Sequence, residues 1–269
     1  MSTLPKYKTL VLSVPVEGVL HVEFNRPKKL NAMNPQMWKD LGDCFTTVST
    51  NSNIRAIVLS GAGKGFTAGL DLMEYAGDFG NGGEGVDAAR RAFGFLEVVK
   101  AMQGQVSAIE ACRVPVIAAV HGPCYGAGID VITAADVRFC SADAVFSVKE
   151  VDIALAADVG TLQRLPKVVG NQSWVHDVCL SARPFAAAEA KEFGLVSRVV
   201  EGSREQVVAA AVKYAQLIAS KSPVAVSGTK NVLKYSRDHS VEDGLKYVGV
   251  WNAAMAQTEV RVGGLWLAG

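Results

Sequence analysis

The sequence predicts one α/β domain with a helical C-terminal extension. Short apolar strands alternate with helices in the order ββα up to about residue 200. From about Thr161 onward the pattern is mostly helical, and no linker or shift in composition divides the chain before residue 200. With 49% apolar and 20% charged residues over 269 positions, the chain can bury a full core and does not have the composition of a disordered one.

The elements come in order. Residues 7–25 alternate in the strand manner, with Leu10 and Leu12 on one face, then Leu20, Val22 and Phe24, and Glu17-Gly18 as the turn of a hairpin. Asn34-Pro35 reads as an N-cap followed by proline at the first helical position, opening a helix to about Ser49 with Met37, Leu41, Cys44, Phe45 and Val48 inward. Ile54–Ser60 is a short strand suited to burial on both faces. Residues 61–69 form a glycine-bearing loop, and 77–85 hold five glycines in nine residues, the most flexible stretch by composition. A long helix is expected from about Val86 to Ala111 with Phe93, Leu96, Val99 and Val106 buried. Strand 114–120 leads into a glycine turn and a helix over 127–135, followed by strands at Val137–Cys140 and Ala144–Val148. Beyond Thr161 the helices are broken at Gly170-Asn171, at Arg183-Pro184 and by a strand at Val196–Val200, and the last two span 222–237 and 241–258.

Composition gives no signal for several partner classes. A net charge of +1 argues against nucleic acid and against an anionic membrane surface. The five cysteines have no CxxC pair and read as buried free thiols of a reducing compartment, and the four histidines show no zinc-ligand spacing with them. No apolar run approaches the ~20 residues of a membrane span. MSTLPKYKTL carries neither a secretory core nor a transit-peptide helix, and GLWLAG does not end in a peroxisomal tripeptide.

The chemistry concentrates between Val114 and Pro166. Gly126-Ala127-Gly128 stands at a strand-to-helix junction, where unpaired N–H groups and the helix dipole favour a developing negative charge. The bland alternative is a tight turn, and Val131 breaks the dinucleotide fingerprint GxGxxG. Phe66–Leu72 offers a second donor loop, in which Ala68 and Gly69 allow close approach and Asp71 could cap the next element. Asp130, Glu150 and Asp158 fall within 29 residues of largely apolar sequence. They are either structural ion pairs, with Lys149 and Arg164 as candidate partners, or a group of crowded carboxyls with pKa values driven apart for acid/base work. There is no GxSxG elbow, no Cys–His pair at recognisable spacing and no Walker-A loop at Gly61–Gly65. His121 reads as a structural, hydrogen-bonded histidine, and the four tryptophans as core or interface.

These residues give the chain its likeness to a known family. KLNAMN at 29–34, FTAGLDL at 66–72, and the run from Val148-Lys149-Glu150 through Asp158-Val159-Gly160-Thr161-Leu162-Gln163-Arg164-Leu165-Pro166 resemble the enoyl-CoA hydratase/isomerase (crotonase) superfamily over essentially the whole length. The last run resembles those members that isomerise dienoyl-CoA thioesters. The resemblance implies a spiral of ββα units, with 1–200 as the core holding the site and 201–269 as a helical region joining subunits into trimers or dimers of trimers. It implies an oxyanion hole from the N–H groups of Ala68 and Ala127, and an acyl-CoA lying along residues 68–72 (Ala68, Gly69, Leu70, Asp71, Leu72) and the stretch from Lys29 to Ala32. The hydratase acid pair falls on Asp130 and Glu150. A hydratase normally has glutamate in place of Asp130 and glycine in place of Asp158, and relatives usually have glycine in place of Ala127.

A 3,5-dienoyl thioester becomes the 2,4-diene by losing a proton from C2 and gaining one at C6. Each backbone donor to the enolate oxygen contributes ~3–4 kcal/mol. Four C–C bonds separate C2 from C6, so two carboxyls are needed: Asp158 and Glu150, with Asp130 in support. Asp158 is favoured at C2 and Glu150 at C6, although the sequence leaves the order open. No metal or redox cofactor is called for. The alternatives are a hydratase, in which Asp158 would crowd the water, and a non-catalytic binding protein of the same fold. A mitochondrial or peroxisome-type location is implied by the family alone.

Overall fold

The computed structural model describes residues 4–75 and 86–255, with the strand backbones at 260–262 and 265–267. The glycine-rich stretch 77–85 lies outside the described residues. Strands β1 (Leu10–Val16) and β2 (Val19–Phe24) form the expected antiparallel hairpin, pairing Leu10 with Phe24 and Leu12 with Val22. Helix α1 (Pro35–Ser49) begins as predicted, with Asn34 Oδ1 accepting from the Met37 N–H at 3.0 Å. Then come β3 (Ala56–Gly61), the short α2 (Leu72–Tyr75), α3 (Ala88–Ala111), β4 (Val116–Val120), β5 (Pro123–Tyr125), α4 (Ala127–Ala134), β6 (Val137–Ser141) and β7 (Val145–Ser147). The second half comprises α5 (Thr161–Val168), α6 (Gln172–Ser181), β8 (Phe185–Ala186), α7 (Ala187–Glu192), β9 (Arg198–Val200), α8 (Arg204–Ala219), α9 (Pro223–Ser236) and α10 (Val241–Met255). The strands β10 (Val260–Val262) and β11 (Leu265–Leu267) pair antiparallel.

The main sheet has the order β1-β2-β3-β4-β6-β9 and is parallel from β2 onward; β5, β7 and β8 form a second, three-stranded sheet. Both faces of the main sheet are covered, which explains why β3 and β4 are apolar at every ladder position but Ser60 and Gly61. Alternation divides the strands cleanly between two cores. Ile57, Leu59, Val116, Ala118 and Val120 join α1, α3 and α4 on one face. Ala56, Val58, Ile117 and Ala119 meet Val207, Ala211 and Ala215 of α8 on the other. The region from residue 201 therefore begins with a helix that belongs to the sheet's own packing, and α9 and α10 form a hairpin beyond it.

One burial expectation is overturned. Val99 and Val106 are buried as predicted, but Phe93 is 69% and Leu96 44% exposed. The buried stripe of α3 runs through Val99, Met102, Val106 and Ile109, where α1 packs against it, and its continuation toward the N-terminus passes through Phe95 and Val98 at the cavity described below. Beyond β7, Glu150 opens a 3-10 turn (Glu150–Ile153).

Candidate active site

The C-terminal ends of β3 and β4 feed two loops toward each other. The 61–71 loop is held by a buried turn at Asn31, whose amide donates to the Ala62 and Gly65 carbonyls at 2.8 and 2.9 Å and whose own carbonyl accepts from the Thr67 hydroxyl at 2.7 Å. Gly69 has φ +91, and a methyl group there would stand 2.8 Å from the Tyr125 carbonyl oxygen and 3.6 Å from the Ala127 nitrogen. The bend at Gly69 thus brings its own backbone against the first turn of α4.

Three backbone N–H groups are candidates for an oxyanion, and the structure separates them. The N–H of Ala68 donates to the Leu30 carbonyl at 2.9 Å, so the expected role of Ala68 as a free donor is not met. Met33 N–H donates to the Gly69 carbonyl and Asp71 N–H to the Met33 carbonyl, a parallel bridge that leaves the N–H of Leu70 between them turned the other way. Among the described residues neither Leu70 N–H nor Ala127 N–H has an acceptor, and both residues line one cavity.

That cavity is about 110 Å³ and apolar for most of its wall, with Trp38, Phe95, Val98, Met102, Leu155 and Val159 among its lining. Asp130, Glu150 and Asp158 all face it. Asp130 is buried, and its Oδ1 accepts from both the backbone N–H (2.6 Å) and the hydroxyl (2.8 Å) of Thr161. Burial pushes its carboxyl up to about 6, against the Thr161 bonds and with help from the charge of Asp158. Glu150 is pushed up to about 7 by burial and then by Asp130, and its buried Oε2 has no hydrogen-bond partner among the described residues. Asp158 is likewise raised by burial, and its backbone carbonyl accepts from Gln103 Nε2 at 2.7 Å.

Among the described residues none of the three carboxyls has an ion-pair partner, and both candidate cations are engaged elsewhere. Lys149 pairs with Asp152 at 2.8 Å and Arg164 with Glu110 at 3.2 Å. Three acids whose charges oppose one another, beside two free N–H donors, can take up and release protons close to a stabilised oxyanion.

The remaining predicted residues divide. Ala68, Gly69, Leu70 and Leu72 line the cavity. Asp71 instead pairs with Arg26 at 2.8 Å, and the Ala32 carbonyl accepts from the same guanidinium, so these two brace the loop. Lys29 is exposed on a 3-10 turn (Pro27–Lys29). His121 donates through Nε2–H to the Gly63 carbonyl, 3.0 Å away, in the structural role expected of it. Sequence reasoning missed Thr161 and Gln103, which reach the acids across 31 and 55 residues and leave no local signal.

A profile of the enoyl-CoA hydratase/isomerase family matches residues 16–263. The chain is 51% identical over 253 residues to a human protein named mitochondrial Delta(3,5)-Delta(2,4)-dienoyl-CoA isomerase, covering 94% of this chain and 76% of that one. It is 44% identical to the peroxisomal protein of that name from Arabidopsis thaliana, over 94% and 91% of the two chains. An enoyl-CoA hydratase from Bacillus anthracis superposes with a TM-score of 0.82 at 26% identity, over 93% and 92% of the chains. The chain belongs to the enoyl-CoA hydratase/isomerase family.

Proposed function

We propose that the protein converts 3,5-dienoyl-CoA to 2,4-dienoyl-CoA. The observation that carries this reading is the placing of two acceptor-free N–H groups, Leu70 and Ala127, in one apolar cavity with three carboxyls of raised pKa. At about 110 Å³ the cavity has room for roughly four waters, enough for a slim hydrocarbon segment and too little for a nucleotide. The acyl end therefore enters past Ala68, Gly69, Leu70 and Leu72, which line the cavity, and the CoA lies outside it. The isomerase name of the relatives supports the substrate class.

The thioester oxygen accepts from Leu70 and Ala127. Glu150 Oε1 stands beside Gly126, 3.4 Å from where a methyl group there would be, and Gly126 immediately precedes the donor Ala127. That puts Glu150 at the thioester end and Asp158, tied to α3, further along the chain. We therefore assign Glu150 to C2 and Asp158 to C6, the reverse of the order favoured from sequence. Ionised Glu150 takes the C2 proton, and the C–H pair spreads over a dienolate whose oxygen charge the two N–H groups hold. Protonated Asp158 then gives its proton to C6, leaving double bonds at C2 and C4. One proton leaves, one arrives, and no electron is exchanged with a partner; the trio resets by passing the proton from Glu150 to Asp158, with Asp130 setting how readily it moves.

We further infer self-association through the α9–α10 hairpin, where Leu233, Leu245 and Val250 are exposed, and a mitochondrial or peroxisomal setting like that of the named relatives. Among the described residues no helix is long and apolar enough to cross a membrane.

The test is the absorbance of the conjugated 2,4-dienoyl thioester formed from 3,5-octadienoyl-CoA. A rise that falls by on the order of 10²–10⁴-fold in both Glu150→Gln and Asp158→Asn supports the reading. No rise, with water added to a 2-enoyl-CoA instead, overturns it.

A further inference from the structure

Arg164 lies one turn into α5 and is mostly buried, its side chain 12% exposed. Its Nε and Nη2 donate to Glu110 Oε2 at 3.3 and 3.2 Å, and Nη2 also donates to the Ser107 hydroxyl at 3.0 Å. The guanidinium lies against Gly160, which has φ +138, and a methyl group there would collide with Nη1. Glu110 also pairs with Arg237, just beyond α9, at 2.6 Å. Gln103, Ser107 and Glu110 succeed one another at spacings of four and three, so a single face of α3 grips the chain at Asp158 and at Arg164.

The segment between those grips is the one that holds the acids. Asp158 is in it, Gly160 caps α5, and Thr161 binds Asp130. We propose that Arg164 is a positioning residue, which clamps 158–161 on α3 and lends its positive charge to Asp130, and through Asp130 to the other two acids. Glu110 and Arg237 set how much of that charge the trio feels. The proposal rests on the isomerase reading only for its kinetic readout.

Charged groups face Arg164 from every element packed around it. Glu110 comes from α3 and Asp130 from α4, with Asp158 and Glu150 beyond it. Arg237 and Asp238 come after α9, and Asp238 also pairs with Lys167 of α5. Although burial opposes it, Arg237 and Arg164 hold Glu110 below the usual carboxylate range, so Glu110 remains ionised at neutral pH and offsets part of the Arg164 charge. Removing Arg164 and removing Glu110 must then move the trio in opposite directions.

The experiment compares Arg164→Gln, Arg164→Lys and Glu110→Gln with the wild type by pH–rate profile and by carbon NMR titration of labelled carboxyls. Arg164→Gln is expected to lower kcat on the order of 10- to 100-fold, with KM within about threefold, and to raise the acid limb by roughly one pH unit. Glu110→Gln is expected to lower that limb. Arg164→Lys keeps the charge but loses the two-pronged grip, so it restores the limb and not kcat. An unmoved limb in Arg164→Gln, or shifts of the same sign in the Gln variants, overturns the proposal. If Arg164→Gln does not fold, the other two variants decide: a limb lowered in Glu110→Gln and unmoved in Arg164→Lys, with kcat reduced in the latter, is expected, and an unmoved limb in Glu110→Gln or a full kcat in Arg164→Lys overturns the proposal. Failure of the isomerase reading shows separately, as a wild type without activity whose carboxyls still titrate in NMR.

Discussion

The backbone N–H and the side-chain hydroxyl of Thr161 converge on a single oxygen of Asp130, at 2.6 and 2.8 Å. This double bond fixes a buried acid of α4 to the first residue of α5 and keeps it within reach of ionisation. Thr161→Val keeps the shape and removes the hydroxyl donor. A hydrogen bond to a charged group is worth about 1.5–3 kcal/mol, so urea unfolding at pH 8 should show a loss of that size. At pH 5, below the about 6 of Asp130, the carboxyl is protonated and the loss should shrink.

Asp130 itself weakens the folded state at high pH. Its pKa rises from 3.8 unfolded to about 6 folded, so the native protein holds the proton more tightly and loses stability as pH climbs through that window. The rise corresponds to roughly 3 kcal/mol. Asp130→Asn still accepts from Thr161 and carries no charge. Its stability relative to the wild type should therefore grow between pH 4 and pH 7, as read by denaturant midpoints at each pH.

The assignment of Glu150 to C2 separates two half-reactions. In deuterated water, Asp158→Asn should still exchange the C2 hydrogen of a 3,5-dienoyl-CoA while failing to form the 2,4-diene. Glu150→Gln should lose both. Exchange surviving in Glu150→Gln and lost in Asp158→Asn would restore the opposite order.

The reactive trio holds one proton, so the rate should be bell-shaped in pH. Glu150 acts as the base, so the acid limb belongs near its about 7, and the alkaline limb belongs to loss of the proton that Asp158 donates, a carboxyl that burial also raises. A profile flat from pH 5 to 9 would show that no member of the trio titrates in the rate-limiting step.

Gly160→Ala adds a methyl at φ +138, in the path of the Arg164 guanidinium. Backbone strain of this kind costs about 1–3 kcal/mol, and displacing the cation should also reproduce the pH shift of Arg164→Gln. Thermal melts and the pH–rate profile check the two effects separately.

Local chemistry makes much of this legible in the sequence. Asn34-Pro35 caps α1 wherever it folds, and the hairpin turn at Glu17-Gly18 needs only its neighbours. The three acids stand out because Ala154–Ala157 and the apolar run of α4 offer them no solvation. Ala68 misleads as a donor because composition shows that a backbone is accessible and not which way its N–H points. That direction comes from the bridge between Met33 and Leu70. Phe93 and Leu96 mislead because the packing of α1 on α3 falls on the stripe through Val99, Met102, Val106 and Ile109, which periodicity alone does not select. The grips of Gln103 and Thr161 depend on contacts closed only by the complete fold.

Helix α3 is at once a wall of the acyl cavity, through Phe95, Val98 and Met102, and the anchor of Asp158, through Gln103 next to Met102. The same rigid body therefore shapes the cavity and holds the backbone of Asp158 at its edge, so neither can shift along α3 without the other.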